Sequence, residues 1–230
     1  MFFGTEISFF CCNLYVNPLN INYMSIQSSW KSLGSHAIPS PEQIEVALNS
    51  QVTGDVSTYQ GVTQLPFSIP RLAFILEDIE TRKKWVSRLA EEILVAKNEE
   101  DFSFVTYEHY DMQWPVSDRE YVLEGKWTIL EDTPTTAVSL LVHSIERDEY
   151  PLRKDRVRGD LKRLYYLFER ISTNETKVTV EIQVDPEGDL PNFFVNMIQK
   201  NWPINTLTAL YNESKKGEQE HDLLKKALNK

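Results

Sequence analysis

Few residues of this chain combine the types and the spacing that catalysis or metal binding requires. Its four histidines show no metal-ligand spacing: His36, His109, His143 and His221. The sequence has no Gly-x-Ser-x-Gly motif for a nucleophilic serine and no glycine-rich loop for a phosphate. A minor alternative is an acid/base pair between His143 or His109 and Glu108. These patterns predict a protein that is not an enzyme and uses neither a metal nor another cofactor.

Glu108 is the most informative acidic residue, because it lies in the strand-like segment FSFVTYEHYDM. It has the same parity as Phe104 and Thr106, which places it on a mostly apolar face of the predicted strand. A carboxylate on such a face is costly unless it is paired or hydrogen-bonded. The alternative is that Glu108 points to solvent and that the residues of opposite parity face inward.

The elements that position these residues belong to an ordinary globular chain. It has 230 residues, of which 41% are hydrophobic and 25% charged, and this predicts one large domain. The net charge of −10 and a pI of about 5.0 argue against nucleic-acid binding, which needs a basic surface. The longest uncharged stretch, residues 7–30, is too polar for a membrane span.

The two cysteines, Cys11 and Cys12, are adjacent, which excludes a disulfide framework and a cysteine-based zinc site. Free thiols are typical of a reducing compartment, so we expect a cytoplasmic protein. Acylation of this pair is an alternative to a poorly ordered N-terminus. We also expect a monomer.

Hydrophobic periodicity predicts a mainly antiparallel sheet followed by a helix. The serine-rich residues 25–41 predict a linker with a short helix near 26–33, and Ser68-Ile69-Pro70 predicts the start of another helix. Strands are predicted near 44–48, 55–65, 90–97, 102–111, 119–130, 136–147, 157–171 and 176–185. A long apolar helix follows Pro186-Glu187-Gly188, with a kink or break at Pro203. About eight curved strands against one helix enclose either a cavity or a filled core.

Three segments resemble StAR-related lipid-transfer (START) domains in their order and spacing. They are WPVSDREYV at 114–122, VRGD at 157–160 and TKVTVEIQVDPEGDLPNFFVN at 176–196. The resemblance covers about residues 28–213, so 1–27 is predicted as an N-terminal extension and 214–230 as a charged C-terminal tail. It implies an α+β helix-grip fold, in which a curved antiparallel β-sheet wraps around a long C-terminal α-helix and encloses a hydrophobic tunnel.

The resemblance also implies a function. The tunnel would hold a single lipid (a sterol, a phospholipid or a similar amphiphile), and the protein would transfer it between membranes. One alternative is a lipid-sensing regulatory module that acts through a protein partner, and a weaker one is a pocket enzyme of the cyclase or hydrolase type. Glu108 corresponds to a tunnel carboxylate of sterol-binding members, and Gly125 stands where those members carry its arginine partner.

The residues expected to bind lipid lie on the predicted inner face of the sheet, on one loop and on the C-terminal helix. They are Phe104, Glu108, Trp114, Tyr166, Phe168, Val178, Val180, Ile182, Val184, Phe194, Met197, Ile198 and Leu207. The alternative is that the apolar members form a filled core, because a lipid tail and a core side chain need the same surroundings. Trp114 could instead be a lid or a membrane anchor, or pack against the C-terminal helix.

A basic segment and the neighbouring loop predict transient contact with a membrane surface. Residues 151–170 hold seven basic and three acidic residues, a net charge of +4 in an acidic chain. We therefore predict membrane contact by Trp114, Arg153, Lys154 and Arg156. The alternative is a solvated strand end. Asp118 and Arg119 are predicted to form a structural ion pair.

Overall fold

The computed structural model describes residues 30–41, 43–53, 56–131, 133–190 and 192–229, and their side chains except at 53, 56, 192–194 and 196–198. Residues 31–230 form one compact unit. The predicted N-terminal extension and its cysteine pair therefore lie outside the described residues.

Ten strands are present in the described part of the chain. They are β1 (Lys31–Ala37), β2 (Glu45–Thr53), β3 (Val56–Leu65), β4 (Leu89–Asn98), β5 (Ser103–Tyr110), β6 (Arg119–Leu130), β7 (Ala137–Ser144), β8 (Val157–Arg158), β9 (Asp160–Ser172) and β10 (Glu175–Asp185). They form one sheet in the order β1-β2-β3-β10-β9-β7-β6-β5-β4. Neighbours along this path pair antiparallel, and the short β8 pairs parallel with β6.

Four helices accompany the sheet in the same ranges: α1 (Ile69–Glu77), α2 (Ile79–Trp85), α3 (Asn192–Ser214) and α4 (Asp222–Leu228). The predicted start of α1 is confirmed, because the Ser68 hydroxyl accepts a hydrogen bond from the Arg71 amide. Asp78 ends α1 and caps α2 by accepting from the Thr81 amide. The predicted break at Pro203 is wrong, since α3 runs through this residue as one helix.

The register places two sets of turns at opposite ends of the sheet. The loop at 111–118 joins β5 to β6 and lies at the same end as the β2–β3 hairpin and the turn after Asp185. Ser103 and the β9–β10 turn lie at the other end. The residues that follow β10 and begin α3 therefore start beside the 111–118 loop.

Helix α3 packs against β2, β3, β10 and α1, and a glycine allows its close approach to β3. A Cβ atom at Gly61 would lie 2.9 Å from Pro203 Cβ and 3.0 Å from Leu207 Cδ1. Leu207 is fully buried in the same apolar cluster as the inner residues of the sheet. The missing side chain at Gly61 thus lets a helix lie directly on a strand.

Three features differ from the sequence prediction, and each has a physical cause. Residues 31–37 form an edge strand rather than a linker or helix, and its exposed polar residues lack alternation. Helix α2, which contains the basic residues 82–84, was not predicted, because it is too short for a clear apolar stripe. The strand predicted at 157–171 is divided at Gly159 into β8 and β9. Together with the unpredicted β1, this division gives the described sheet ten strands rather than about eight.

The segment predicted as a charged tail contains α4. Leu224 on this helix is fully buried, and the His221 amide donates to the Pro70 carbonyl of α1. The domain boundaries drawn from the sequence stay predictions.

Candidate functional site

The inner face of the sheet carries the predicted apolar wall. One cluster of buried and partly buried side chains contains Phe104, Tyr166, Phe168, Val178, Val180, Ile182, Val184 and Leu207. The alternation along β10 places its four members on the same side, as expected for a strand with one buried face. Phe194, Met197 and Ile198 also lie on α3, but their side chains are outside the described ones. Lipid contact by all of these residues stays a prediction.

Phe104 occupies the space beside Gly125 on the neighbouring strand. The two residues are paired in register, and a Cβ atom at Gly125 would lie 2.3 Å from Phe104 Cζ. An aromatic ring thus covers the position where the resemblance places an arginine in sterol-binding members. The cation that pairs with Glu108 must come from elsewhere.

That cation is Arg82 on α2. Glu108 faces inward with a side chain 4% exposed, so the alternative of a solvent-facing Glu108 is wrong. Arg82 Nη2 donates to Glu108 Oε1 at 2.8 Å, and the Tyr110 hydroxyl donates to Glu108 Oε2 at 2.5 Å. Thr106 Oγ1 lies 3.4 Å from Glu108 Oε1. Glu108 therefore has partners from a helix and from its own strand.

A second carboxylate, Glu92 on β4, shares the same guanidinium. Glu92 is paired in register with Glu108, and Arg82 Nε donates to its two oxygens at 2.8 and 2.9 Å. Arg82 Nη1 donates to the Leu76 carbonyl at 3.1 Å, so every guanidinium nitrogen has an acceptor. We call Arg82, Glu92 and Glu108 the Arg82 cluster.

Burial and unequal charge govern the protonation of this cluster. Burial, opposed by Arg82 and reinforced by Glu108, raises the pKa of Glu92 to about 7. Burial disfavours the charge on Arg82, but Glu108 and Glu92 together raise its pKa above the usual value. Arg82 therefore stays positively charged between two carboxylates, and one of them, Glu92, is partly protonated near neutral pH.

Phenol groups surround the Arg82 cluster. Burial is the main cause that raises the pKa of Tyr110, Tyr121 and Tyr166 above the usual tyrosine value. The Tyr110 and Tyr121 rings meet edge to face at 5.8 Å between centroids. These hydroxyls stay neutral, so they can donate hydrogen bonds without adding charge to the interior.

A cleft of about 530 Å³ lies beside α4, and its described lining includes none of the three residues of the Arg82 cluster. It lies between the α1–α2 junction, β4, β5 and α4, with Phe74, Ile79, Leu94 and Leu223 among its apolar lining residues. Phe104 and Thr106 also line it. Because Thr106 contacts Glu108, this cleft brings solvent close to the polar part of the inner face.

The 111–118 loop carries an exposed tryptophan. The Trp114 side chain, which precedes a cis Pro115 peptide, is 92% exposed and so is not packed against α3. Asp118 pairs with His109 Nε2 at 2.8 Å and accepts from the Met112 amide at 2.9 Å. The predicted ion pair of Asp118 with Arg119 is therefore replaced by a bond that closes the loop on itself.

Arg119 instead joins the loop to the turn that precedes α3. Its guanidinium is buried and donates to the carbonyl oxygens of Ser117, Pro186 and Glu187. Burial lowers the pKa of Arg119. Arg119, which belongs to the START-like segment 114–122, thus links the 111–118 loop to the turn that follows β10.

The predicted basic surface is divided between solvent and a buried cluster. Arg153 and Lys154 are exposed, and Arg153 pairs with Asp155 at 3.0 Å. The Arg156 side chain is 13% exposed and donates to the Tyr107 hydroxyl at 2.7 Å. Membrane contact by these three residues stays a prediction, and Arg156 already has a structural role.

The outer face of β5 and β6 is covered, which the sequence did not indicate. Tyr150 stacks on Tyr107 with ring centroids 4.9 Å apart, and the Tyr107 hydroxyl donates to Glu120. Arg158 Nη2 donates to the fully buried Glu120 at 2.8 Å. Both faces of these strands are therefore buried, so parity alone could not identify the inward side.

The histidines lie apart from Glu108. His109 bonds Asp118, and His143 Nε2 lies 3.7 Å from Glu124. Across the described residues, no group of three His, Cys, Asp or Glu side chains is placed to hold a metal ion. The described helices include none long and apolar enough to cross a membrane.

Two residues of the Arg82 cluster were missed from the sequence. Arg82 stands in the basic segment RKKW, which is typical of a solvated surface, and Glu92 follows another glutamate, Glu91. The side of β4 on which Glu92 lies could not be determined from the sequence without the register that pairs this residue with Glu108. A buried Glu108 does require a partner, which was the available signal.

Comparison with known proteins agrees with this architecture. The chain is 25% identical over 175 residues to the uncharacterized protein PA1579 of Pseudomonas aeruginosa, covering 75% of this chain and 83% of that protein. It is 31% identical over 123 residues to START domain-containing protein 10 of Homo sapiens, covering 53% of this chain but 40% of that protein.

Solved structures confirm the predicted fold. The crystal structure of human STARD10 superposes with a TM-score of 0.72 at 22% identity, covering 92% of this chain and 84% of that chain. Human StAR-related lipid transfer protein 5 gives 0.69 at 15% identity, covering 84% and 91%. The α+β helix-grip architecture is thus shared with both. The START domain family model matches residues 26–209, and the chain therefore belongs to the START domain family.

Proposed function

We propose that this chain binds one hydrophobic lipid between the inner face of its sheet and α3, and transfers it between membranes. START domain proteins are known for lipid binding and transfer. The observation that carries the proposal is the Arg82 cluster on an otherwise apolar inner face. A filled core gains little from three buried charges, whereas an amphiphile needs a polar contact at one point of an apolar wall.

The lipid body would contact the apolar inner face, and its polar end would meet the Arg82 cluster. The proposed contacts are Phe104, Glu108, Tyr166, Phe168, Val178, Val180, Ile182, Val184, Phe194, Met197, Ile198 and Leu207, with Trp114 at the rim. We propose a cytoplasmic monomer that carries the lipid without covalent chemistry.

Membrane contact is proposed at the end of the sheet that holds the 111–118 loop. Trp114 is almost wholly exposed there, and Val52, 80% exposed, lies on the β2–β3 hairpin at the same end. Leu152, 75% exposed, precedes the basic residues Arg153 and Lys154. Apolar tips beside basic side chains suit the boundary of an anionic membrane.

Native mass spectrometry after incubation with mixed phospholipid and sterol vesicles tests lipid binding. We expect one lipid for each protein chain. Val180→Trp fills the inner face and is expected to abolish uptake, whereas Thr179→Trp, on the opposite face of β10, is expected to retain it. Circular dichroism checks that both variants fold. An apo mass for the unmodified protein would contradict lipid binding.

A transfer assay between donor and acceptor vesicles tests the second half of the proposal. Trp114→Ala is expected to slow transfer by about fivefold, since removing an interfacial tryptophan weakens membrane binding by about 1 kcal/mol, with unchanged lipid stoichiometry. The matched control is Ile171→Ala, an exposed apolar residue at the other end of the sheet. Tight binding without any exchange would contradict transfer and favour a lipid-sensing module.

A further inference from the structure

We infer that the Arg82 cluster selects a lipid whose polar end donates hydrogen bonds, a hydroxyl or an ammonium, over one that ends in a carboxylate or a phosphate. This inference rests on the proposed function and adds the chemical class of the ligand's polar end. An arginine on an apolar wall would ordinarily suggest an anionic ligand, because the guanidinium fork matches carboxylate and phosphate. The surroundings of Arg82 reverse that expectation.

Every nitrogen of the Arg82 guanidinium already bonds a protein oxygen, which leaves one further N–H on each Nη atom. Nε is shared by the two oxygens of Glu92, Nη2 bonds Glu108, and Nη1 bonds the Leu76 carbonyl. An anionic ligand would have to reach these remaining N–H groups beside two buried carboxylates of the same charge, or displace one of those carboxylates. Breaking a buried ion pair leaves an uncompensated charge, which is strongly unfavourable.

The cluster carries excess negative charge when both carboxylates are ionised. Arg82 supplies one positive charge against Glu92 and Glu108, whose side chains are 2% and 4% exposed. Lys83, the next cation on α2, pairs with Glu80 at 3.0 Å on a more exposed surface. The phenols of Tyr110, Tyr121 and Tyr166 add no positive charge. A negative buried site attracts cations and repels anions more strongly than the same site in water.

Free acceptor capacity lies mainly on Glu92. Glu108 accepts from Arg82, Tyr110 and Thr106, whereas the hydrogen bonds to Glu92 from the described side chains come from Arg82 alone. An ionised carboxylate offers about four lone-pair directions. Burial, reinforced by Glu108 and opposed by Arg82, raises the pKa of Glu92 to about 7, so a further donor would favour the ionised carboxylate. A hydroxyl or an ammonium would supply that donor.

The test uses the full chain and four amphiphiles that share a dodecyl chain: the alcohol, the alkylammonium, the carboxylate and the phosphate. Each is titrated calorimetrically below its micelle concentration at about pH 8, where Glu92 is largely ionised. We expect the alcohol or the ammonium to bind about tenfold more tightly than either anion. Equal or tighter binding of an anion would overturn the inference while leaving the proposed function intact. Binding of none of the four would overturn both.

A charge-neutral variant separates this charge effect from shape. Glu92→Gln keeps the size of the side chain and an acceptor for Arg82, and we expect it to reduce the preference for ammonium over phosphate by about tenfold. Glu91→Gln makes the same change at the neighbouring residue, which lies near Arg156, and should leave the preference unchanged. Near-ultraviolet circular dichroism confirms native packing of both variants. An unchanged preference in folded Glu92→Gln would overturn the inference.

Discussion

The two ends of α3 are each held by a buried arginine that bonds backbone carbonyl oxygens. At the C-terminal end, Arg71 on α1 donates to the carbonyls of Glu213, Ser214 and Gln219. At the other end, Arg119 donates to the carbonyls of Pro186 and Glu187, in the turn before the helix begins. It also donates to the carbonyl of Ser117 in the 111–118 loop. Burial lowers the pKa of both guanidinium groups, and neither forms a salt bridge in the described residues.

The two attachments differ in what surrounds the acceptors. Glu213 and Ser214 are buried, and the nearby Leu210 and Tyr211 are fully buried in the main apolar cluster. Ser117 and Glu187 are exposed loop residues. A carbonyl that loses its donor in the interior stays unsatisfied, but a loop carbonyl can turn to water. The comparison predicts a fixed C-terminal end and an N-terminal end that can open.

Arg71→Met should have the largest effect on stability. It removes the Arg71 donor from the buried Ser214 carbonyl and one of two donors from the buried Glu213 carbonyl, which the Lys216 amide also bonds, so we expect the free energy of unfolding to fall by about 3 kcal/mol. Urea denaturation followed by tryptophan fluorescence measures the change. Equal losses for Arg71→Met and Arg119→Met would contradict a difference in stability between the two ends of α3.

Glu77 strengthens the attachment at the C-terminal side, because it anchors the segment that follows α3. His221 Nε2 lies 3.0 Å and Lys97 Nζ 2.6 Å from its oxygens, and the Trp127 indole N–H also donates to it. Burial opposes the charge, but the His221 and Lys97 bonds outweigh it and lower the pKa of Glu77 to about 2.

A carboxyl with a depressed folded-state pKa stabilises the protein above its unfolded pKa, and that stability is lost as the pH falls from about 4.5 toward 2. Glu77→Gln should therefore cost about 2 kcal/mol at neutral pH and flatten this acid decline. Urea denaturation across this pH range measures both effects. Glu80→Gln, on the exposed side of α2, is the control, and an identical acid decline in both variants would exclude the role given to Glu77.

Arg119→Met should have the smallest effect on global stability, about 1 kcal/mol, since its acceptors can relax into water. Local opening should change more: we expect the amides of 111–118 and 186–188 to exchange hydrogen about fivefold faster, while those near 207–214 stay protected. Hydrogen exchange followed by mass spectrometry resolves these segments. Uniformly faster exchange would show that Arg119 supports the whole fold rather than one end of it.

Much of the fold could be predicted because local patterns determine it. The alternation in β10 identifies its buried face, and Ser68-Ile69-Pro70 identifies the start of α1. β1 could not be predicted, because an edge strand exposed on both faces has no hydrophobic period. The covered outer face of β5 and β6 depends on a loop folding back from a distant part of the sequence.

The candidate site could be predicted only in part, because it also depends on contacts between elements that are distant in the sequence. Glu108 could be selected as a carboxylate in a mostly apolar strand, although parity alone did not identify the inward face. Its partner Arg82 lies 26 residues earlier, in a segment that resembles a solvated basic surface. Glu92 was hidden because two adjacent glutamates leave the inward one undefined until the register of β4 is known. Pairing across elements, rather than local propensity, assembles these three charges.

The position of Arg82 has a consequence for how such a protein diversifies. A charge on a central strand is bound to its sheet neighbours, and replacing it disturbs packing on both sides. Arg82 instead belongs to a seven-residue helix with its own cap at Asp78. A change at Arg82 would therefore alter the charge that faces Glu92 and Glu108 without changing a residue of the sheet.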